Sequence, residues 1–277
     1  MITPSTTLAE IASTAPALTR KLERLGLDYC CGGKRSLPEA CRKQQLDPEA
    51  VIEELTSVAA SGEPPADWIG LPPAELVDHL EATHHRYPKD ALPRLSELAA
   101  KVSRVHGEAH PELVRVTDVV NALRADLEPH LRKEEEVLFP MIRTLTSARN
   151  PPSFQFGSLA HPIAVMQQEH VAVGALLEQL RALTNGYQAP AATCAPTRAL
   201  MEGLAELEGD THLHVHKENN HLFPRSTGIG ESDGLLKPAL WAPGIGLLSR
   251  GAFPRGAGAA AGAGTWGQVS RCVVPPG

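Results

Sequence analysis

The chain predicts an all-α protein: an antiparallel four-helix bundle preceded by a small helical module. Three observations carry this. His130-Leu131-Arg132-Lys133-Glu134-Glu135-Glu136-Val137-Leu138-Phe139-Pro140 reads H-x3-E-x3-L-F-P, and His214 through Pro224 repeats it with Glu218 and Leu222-Phe223-Pro224 in register. Each copy follows another histidine by a helical-hairpin length, His85 by 45 residues before His130 and His170 by 44 before His214. Aromatics make up only 4% of the chain, so its core must be mostly Leu, Val and Ala, which suits helices.

Residues 1–60 read as the small module. Thr7-x-x-Glu10 can cap a first helix with Leu8, Ile11, Leu18, Leu22 and Leu25 as its apolar positions, ended by Gly26. The loop Asp28-Tyr29-Cys30-Cys31-Gly32-Gly33 follows. Ser36-x-x-Glu39 is a second capping box, and Asp47-Pro48-Glu49 opens a third helix through Val51, Ile52 and Leu55. So short a module is expected to lack a sufficient core of its own and to pack against a neighbour. Residues 61–72 are a linker by composition, beginning Ser61-Gly62-Glu63-Pro64-Pro65.

Four long helices are expected over 74–106, 112–148, 159–184 and 197–222, within a bundle spanning 73–225. Pro88 and Pro93 predict a kink in the first, because each removes a backbone donor and clashes with the carbonyl four residues earlier. Gly107 and Pro111 mark the first turn; 149–157 and 185–196 are the other connectors. Folding at the turns brings each histidine pair level on antiparallel helices, ~20–30 Å from the turn at ~1.5 Å per residue. Residues 226–277, with Gly-Ala repeats and no helical period, read as a disordered tail or an accidental extension.

The net charge of −6 argues against nucleic acid or an anionic membrane surface as partner. No apolar run reaches ~18 residues, so no membrane span is expected. The start lacks a basic and then apolar leader, and the 5 cysteines form no disulfide framework; a reducing cytoplasm is the expected compartment.

All 12 histidines fall between His79 and His221, within the bundle. A histidine and a glutamate four apart share a helix face. Buried imidazoles and carboxylates in these numbers need a cation to offset their desolvation. No cysteine lies within the helices that carry the pattern, so a thiolate zinc site is not the match. Mixed ligands from four helices suit a di-iron or di-manganese centre. Glu134 and Glu218 would bridge two ions and His85, His130, His170 and His214 would cap them, leaving open positions for an oxo bridge, dioxygen, peroxide or nitric oxide. His84 competes with His85, but its 46-residue spacing to His130 fits the repeat less well. His106 lies too near the turn, His161 suits a capping or solvated role, His212 and His216 point off the His214 face, and His79 and His221 belong outside the first ring of ligands.

Cys30-Cys31 on a glycine-rich loop is the second candidate. A bond between adjacent cysteines is strained, and Gly32-Gly33 leaves the backbone free to present both sulfurs for thiol chemistry or contact with iron or a cluster. Cys41 reads as a helix-core residue, and Cys194 and Cys272 as incidental.

The stretch Asp28-Tyr29-Cys30-Cys31-Gly32-Gly33-Lys34, followed by both His-x3-Glu motifs and Asn219-Asn220-His221-Leu222-Phe223-Pro224-Arg225, resembles the hemerythrin-like iron–sulfur cluster repair proteins. These are the repair-of-iron-centres or YtfE/ScdA family, and the resemblance covers about residues 5–225. It implies two non-haem iron ions in an oxo-bridged di-iron centre on the six residues named above. It also implies damaged iron–sulfur proteins as partners, a chain that is often a homodimer, and a cytoplasmic role in nitrosative or oxidative stress. Two activities accompany it: iron supply to damaged clusters, and nitric oxide or peroxide reduction at the centre. An oxygen or nitric oxide sensor is the non-catalytic alternative, and has no need of a cysteine pair. Gly174 stands where oxygen carriers have a further ligand, and Val171 where family members often have an acid.

Overall fold

The computed structural model describes residues 2–60, 64, 66–147, 158–189 and 193–227. The tail expected from 226 onward lies outside the described residues except for Ser226 and Thr227, as do Cys272 and the connector 149–157. Among the described residues there is no strand, only one antiparallel bridge between Thr7 and Ser36.

The N-terminal module contains α1 (Leu8–Ala12), α2 (Pro16–Leu25), α3 (Leu37–Lys43) and α4 (Pro48–Ala59). Both capping boxes form: the Thr7 amide donates to Glu10 Oε2 at 2.8 Å, and the Ser36 amide to Glu39 Oε2 at 2.9 Å. The helix expected to run unbroken to Gly26 is two, because Pro16, with no N–H to donate, sits at the start of α2 and the chain turns ahead of it. Gly26 ends α2 at φ 65°, a left-handed cap that glycine adopts without strain. The module has a cluster of its own, with Leu8, Ile11, Leu18, Leu22, Leu37 and Leu55 all fully buried, and it also packs on a neighbour as expected, through Ser13 to His221 and Glu23 to His212.

The bundle follows: α5 (Pro73–Leu80) and α6 (Arg86–His106); α7 (Glu112–Lys133) and α8 (Phe139–Ser147); α9 (Ala160–Leu183); and α10 (Ala195–Lys217) and α11 (Phe223–Ser226). Within three of its four rods a π turn joins two α segments, over Glu81–His85, Glu134–Leu138 and Glu218–Leu222. This revises the expected proline kink. Pro93 sits inside α6 without breaking it, and Pro88 follows the first π turn by three residues. Pro140 and Pro224 follow the other two turns by two residues. A π turn already shifts the hydrogen-bond ladder off its i→i−4 register, so a missing N–H just downstream costs less there.

Two apolar clusters fill the bundle. One, toward the Gly107 turn, includes Leu92, Leu95, Val120, Leu123, Leu177 and Leu204. The other, at the opposite end, includes Leu76, Phe139, Ile142, Ile163, Leu222 and Phe223. On every rod the histidines and glutamates of the motif lie where the two stretches meet. They therefore form a polar layer closed by hydrocarbon above and below.

Candidate metal centre

The six predicted donors meet. His85, Glu134, His214 and Glu218 form one group and His130, Glu134, His170 and Glu218 another, with the ligand atoms of each group within 4.8 Å of one another. Both carboxylates belong to both groups. His85 Nε2 and His130 Nε2 lie 3.4 and 3.3 Å from Glu134 oxygens, and His170 Nε2 and His214 Nε2 lie 3.1 and 3.2 Å from Glu218 oxygens. All six are at most 1% exposed. The π turns position them: Glu134 and Glu218 each open one, and His85 closes the first.

The donors fit bound metal. Glu134 and Glu218 are fully buried, yet none of their four carboxylate oxygens has a hydrogen-bond partner of good geometry, and neither do His85 Nε2 and His214 Nε2. Buried groups this polar are not left unpaired in a stable core without a compensating ligand. The electrostatics agree. Burial alone would raise the Glu134 carboxyl, but His130, His85 and His214 hold it well below the usual carboxylate range. Glu218 is raised by burial and by Glu134, yet His214 and His170 bring it below its ordinary value. Burial opposes the charged form of His130, but Glu134 and Glu169 push its pKa up to about 10. The proton that His130 retains thus stands where a cation would, and an incoming ion would release it.

The outer ring nitrogens are braced. His85 Nδ1 is 3.0 Å from Glu135, His130 Nδ1 2.9 Å from Glu169 and His170 Nδ1 3.1 Å from Asn219 Oδ1. Lys89 and Lys133 anchor the two glutamates in turn. These acceptors keep the proton on Nδ1 and leave the Nε2 lone pair facing the centre. The His214 ring stacks on His84 at 5.8 Å and 7°. In each case the brace is the chain neighbour of a donor, but it serves the donor on the next rod. Val171, noted above as a departure from the resemblance, is 62% exposed, and the acid beside His170 in this chain is Glu169.

The other histidines lie outside the two groups. His84 Nδ1 pairs with Asp210 at 2.7 Å, and its Nε2 accepts from the buried Lys217, which also donates to His79. His106 Nε2 is 3.3 Å from Cys194 Sγ, so that cysteine has a partner that its sequence context did not suggest. His161 is exposed at the start of α9. His212 pairs with Glu23 of the N-terminal module, and His216 and His221 both reach Ser13 Oγ.

The cysteine loop docks directly on the bundle. The Asn220 side-chain amide donates to the Cys30 carbonyl at 3.1 Å and to that of Tyr29 at 3.4 Å. Gly33 allows this approach, since a Cβ there would sit 2.6 Å from Asn220 Oδ1. Trp68, in the stretch expected to be linker, is buried and packs on His216 and His221. Cys30 is buried and Cys31 exposed. Their hydrogen bond and burial raise the Cys30 thiol well above its ordinary value. The same hydrogen bond lowers Cys31 against the opposing effect of burial, with help from His170 and His212.

Residues 76–226 match the hemerythrin HHE cation binding domain. Residues 4–59 match ScdA_N, described as a domain of unknown function. The chain is 36% identical over 222 residues to iron–sulfur cluster repair protein YtfE from a strain of Escherichia coli, an alignment covering 79% of this chain and 95% of the relative. The YtfE of Shigella boydii matches to the same extent. The chain belongs to the YtfE family. It joins an N-terminal cysteine module to a hemerythrin bundle, and its buried imidazole–carboxylate layer suits iron. No described helix is long and apolar enough to cross a membrane.

Proposed function

We propose that this protein repairs iron–sulfur clusters damaged by nitrosative or oxidative stress, and does so by supplying iron. The observation that carries this is the pairing of two buried donor groups with a docked thiol loop, joined through one π turn. Glu218 belongs to both groups, Asn219 braces His170, Asn220 holds the Cys30 carbonyl and His221 meets Ser13. A diatomic sensor would need the first half of this arrangement and not the second.

The resident group in this proposal is a pair of non-haem iron ions with an oxo bridge, held by His85, His130, His170, His214 and the shared Glu134 and Glu218. When bound, it supplies redox chemistry and a store of iron. The residues have separate tasks. Glu135, Glu169 and Asn219 hold the Nδ1 protons, so that Nε2 remains available. The apolar clusters exclude water from both ends of the layer. Cys30 and Cys31 offer softer ligands to iron leaving the carboxylate–imidazole layer, on its way to a damaged cluster protein. Reduction of nitric oxide or peroxide is the rival use of the same bundle, and it does not require the thiols.

The test is recovery of a nitric-oxide-damaged iron–sulfur enzyme in anaerobic mixtures with iron-loaded protein. The Cys30→Ala/Cys31→Ala variant should keep its iron and lose the recovery. Recovery at the unmodified rate would refute iron supply through the thiols. Nitric oxide consumption undiminished by the double substitution, in a variant that no longer repairs, would assign reduction to the bundle alone.

A further inference from the structure

Asp28, Cys30 and Cys31 make a third donor group, outside the bundle layer, with ligand atoms within 4.8 Å of one another. Its spacing is informative. The two sulfurs are 3.9 Å apart, and Cys30 Sγ is 3.3 Å from Asp28 Oδ1. A tetrahedral ion with metal–sulfur bonds of ~2.3 Å and a metal–oxygen bond of ~2.0 Å separates its sulfurs by ~3.8 Å and a sulfur from the oxygen by ~3.5 Å. The loop therefore already holds its donors at the span of one ion.

The surroundings hold that geometry. The Cys31 amide donates to Asp28 Oδ1 at 3.0 Å and orients the carboxylate. A Cβ at Gly32 would come within 2.7 Å of Asp28 Oδ2, so glycine is what lets the carboxylate lie across the loop. One side of the group is open. A groove of about 500 Å³ runs from Asp28, Cys30 and Cys31 to Val171 and Gly174 on α9. A Cβ at Gly174 would meet nothing within 4 Å.

We propose that Asp28, Cys30 and Cys31 bind one thiophilic divalent cation as three ligands, with the fourth position facing the groove. Binding releases the two thiol protons to solvent, forms two metal–sulfur bonds and one metal–oxygen bond, and changes no oxidation state. This deepens the iron-supply reading and rests on it for its purpose: the site is where an ion from the bundle would be held for an acceptor whose own ligand enters the open position.

Cadmium is the probe, because its thiolate bonds add an ultraviolet charge-transfer absorption on the short-wavelength side of the aromatic band. Full-length protein with its bundle loaded with iron should bind one Cd2+ per chain and develop that absorption, with its iron content unchanged. Asp28→Asn retains an acceptor for the Cys31 amide but loses the anionic ligand, and should weaken Cd2+ binding at least tenfold. Cys31→Ser should abolish the absorption. Equal affinity in Asp28→Asn, one ion per two chains, or displacement of bundle iron without thiolate absorption would each overturn the proposal. The two readings fail separately. If Asp28→Asn loses Cd2+ but repairs at the full rate, the site stands and iron supply through it falls. If the double cysteine variant loses repair while unmodified protein binds no Cd2+ at the thiols, iron supply stands and this site falls.

Discussion

Glu134→Ala should dismantle both halves of the proposed metal centre at once. Each donor group contains four residues and Glu134 is in both, so a single substitution leaves each with three. The consequence can be read in stability. A ligand that binds only the folded state stabilises it by ~4.1 kcal/mol when its free concentration is a thousand times Kd. In a domain of this size class each kcal/mol moves Tm by about 2–4 °C. Iron loading should therefore raise the Tm of unmodified protein by ~8–16 °C, a product of those two figures. The variant should show almost none of that rise and hold less than one iron per chain. Glu134→Gln has the same size and separates ligand loss from a packing defect; it should also fail to gain Tm with iron. His161→Ala, at an exposed position, is the control and should behave as unmodified protein. The assay is paired calorimetry and metal analysis with and without iron. Two tightly held irons in Glu134→Ala, or one tightly held zinc in unmodified protein, would refute the shared-carboxylate centre.

Removing a brace should cost less than removing a ligand: Glu169→Ala and Glu135→Ala should each weaken iron binding about 10–100-fold, measured by competition with a chelator. Gly33→Ala should undock the cysteine loop from Asn220, because its Cβ has 2.6 Å where van der Waals contact needs more; faster thiol labelling at Cys30 with unchanged iron content would register this. Acid should destabilise the fold through histidines buried in neutral form. Burial pushes His216 down to about 3 and His84 down to about 4, both from an ordinary 6.5. Between those values the unfolded chain binds the extra proton, so this stabilisation is complete above pH ~6.5 and is lost as pH falls toward the folded values, by up to ~1.4 kcal/mol per pH unit for each group. Tm measured from pH 7.5 down to 5 should fall, and His216→Gln should flatten the slope; an equal slope would show that His216 does not titrate in this way.

Much of this was legible because helices repeat. The 45- and 44-residue spacings placed His85, His130, His170 and His214 level on four rods, and the structure brings all four rings to Glu134 and Glu218. The capping boxes at Thr7 and Ser36 were legible because they are local. Three things were not. A π turn inserts one residue into a rod of more than thirty, too small a change to disturb an apolar period, so only the prolines behind it left a trace. The break before Pro16 was hidden because Leu8, Ile11, Leu18 and Leu22 keep a helical spacing across it. The contact between Asn220 and the Cys30 carbonyl joins residues 190 apart, and nothing local announces it.

The braces follow a rule that the topology explains. His84 precedes a donor and stacks on the fourth rod's His214; Glu135 follows a donor and reaches the first rod's His85. Glu169 precedes a donor and reaches His130, and Asn219 follows one and reaches His170. The offsets run −1, +1, −1, +1 along the chain. One residue turns a helix by about 100°. On antiparallel rods, equal rotations about the bundle axis require opposite steps in sequence, so alternating offsets aim every brace the same way around the ring. Each rod then presents a ligand inward and a support sideways from adjacent residues. A displacement of one rod would disturb a ligand on that rod and the brace of its neighbour's ligand together. On the last rod the same economy continues for two more residues: after Glu218 and Asn219 come Asn220, on the cysteine loop, and His221, on Ser13. Glu218, shared by both donor groups, thus stands two residues from Asn220, which holds the Cys30 carbonyl, so that single π turn joins the donor layer to the N-terminal module.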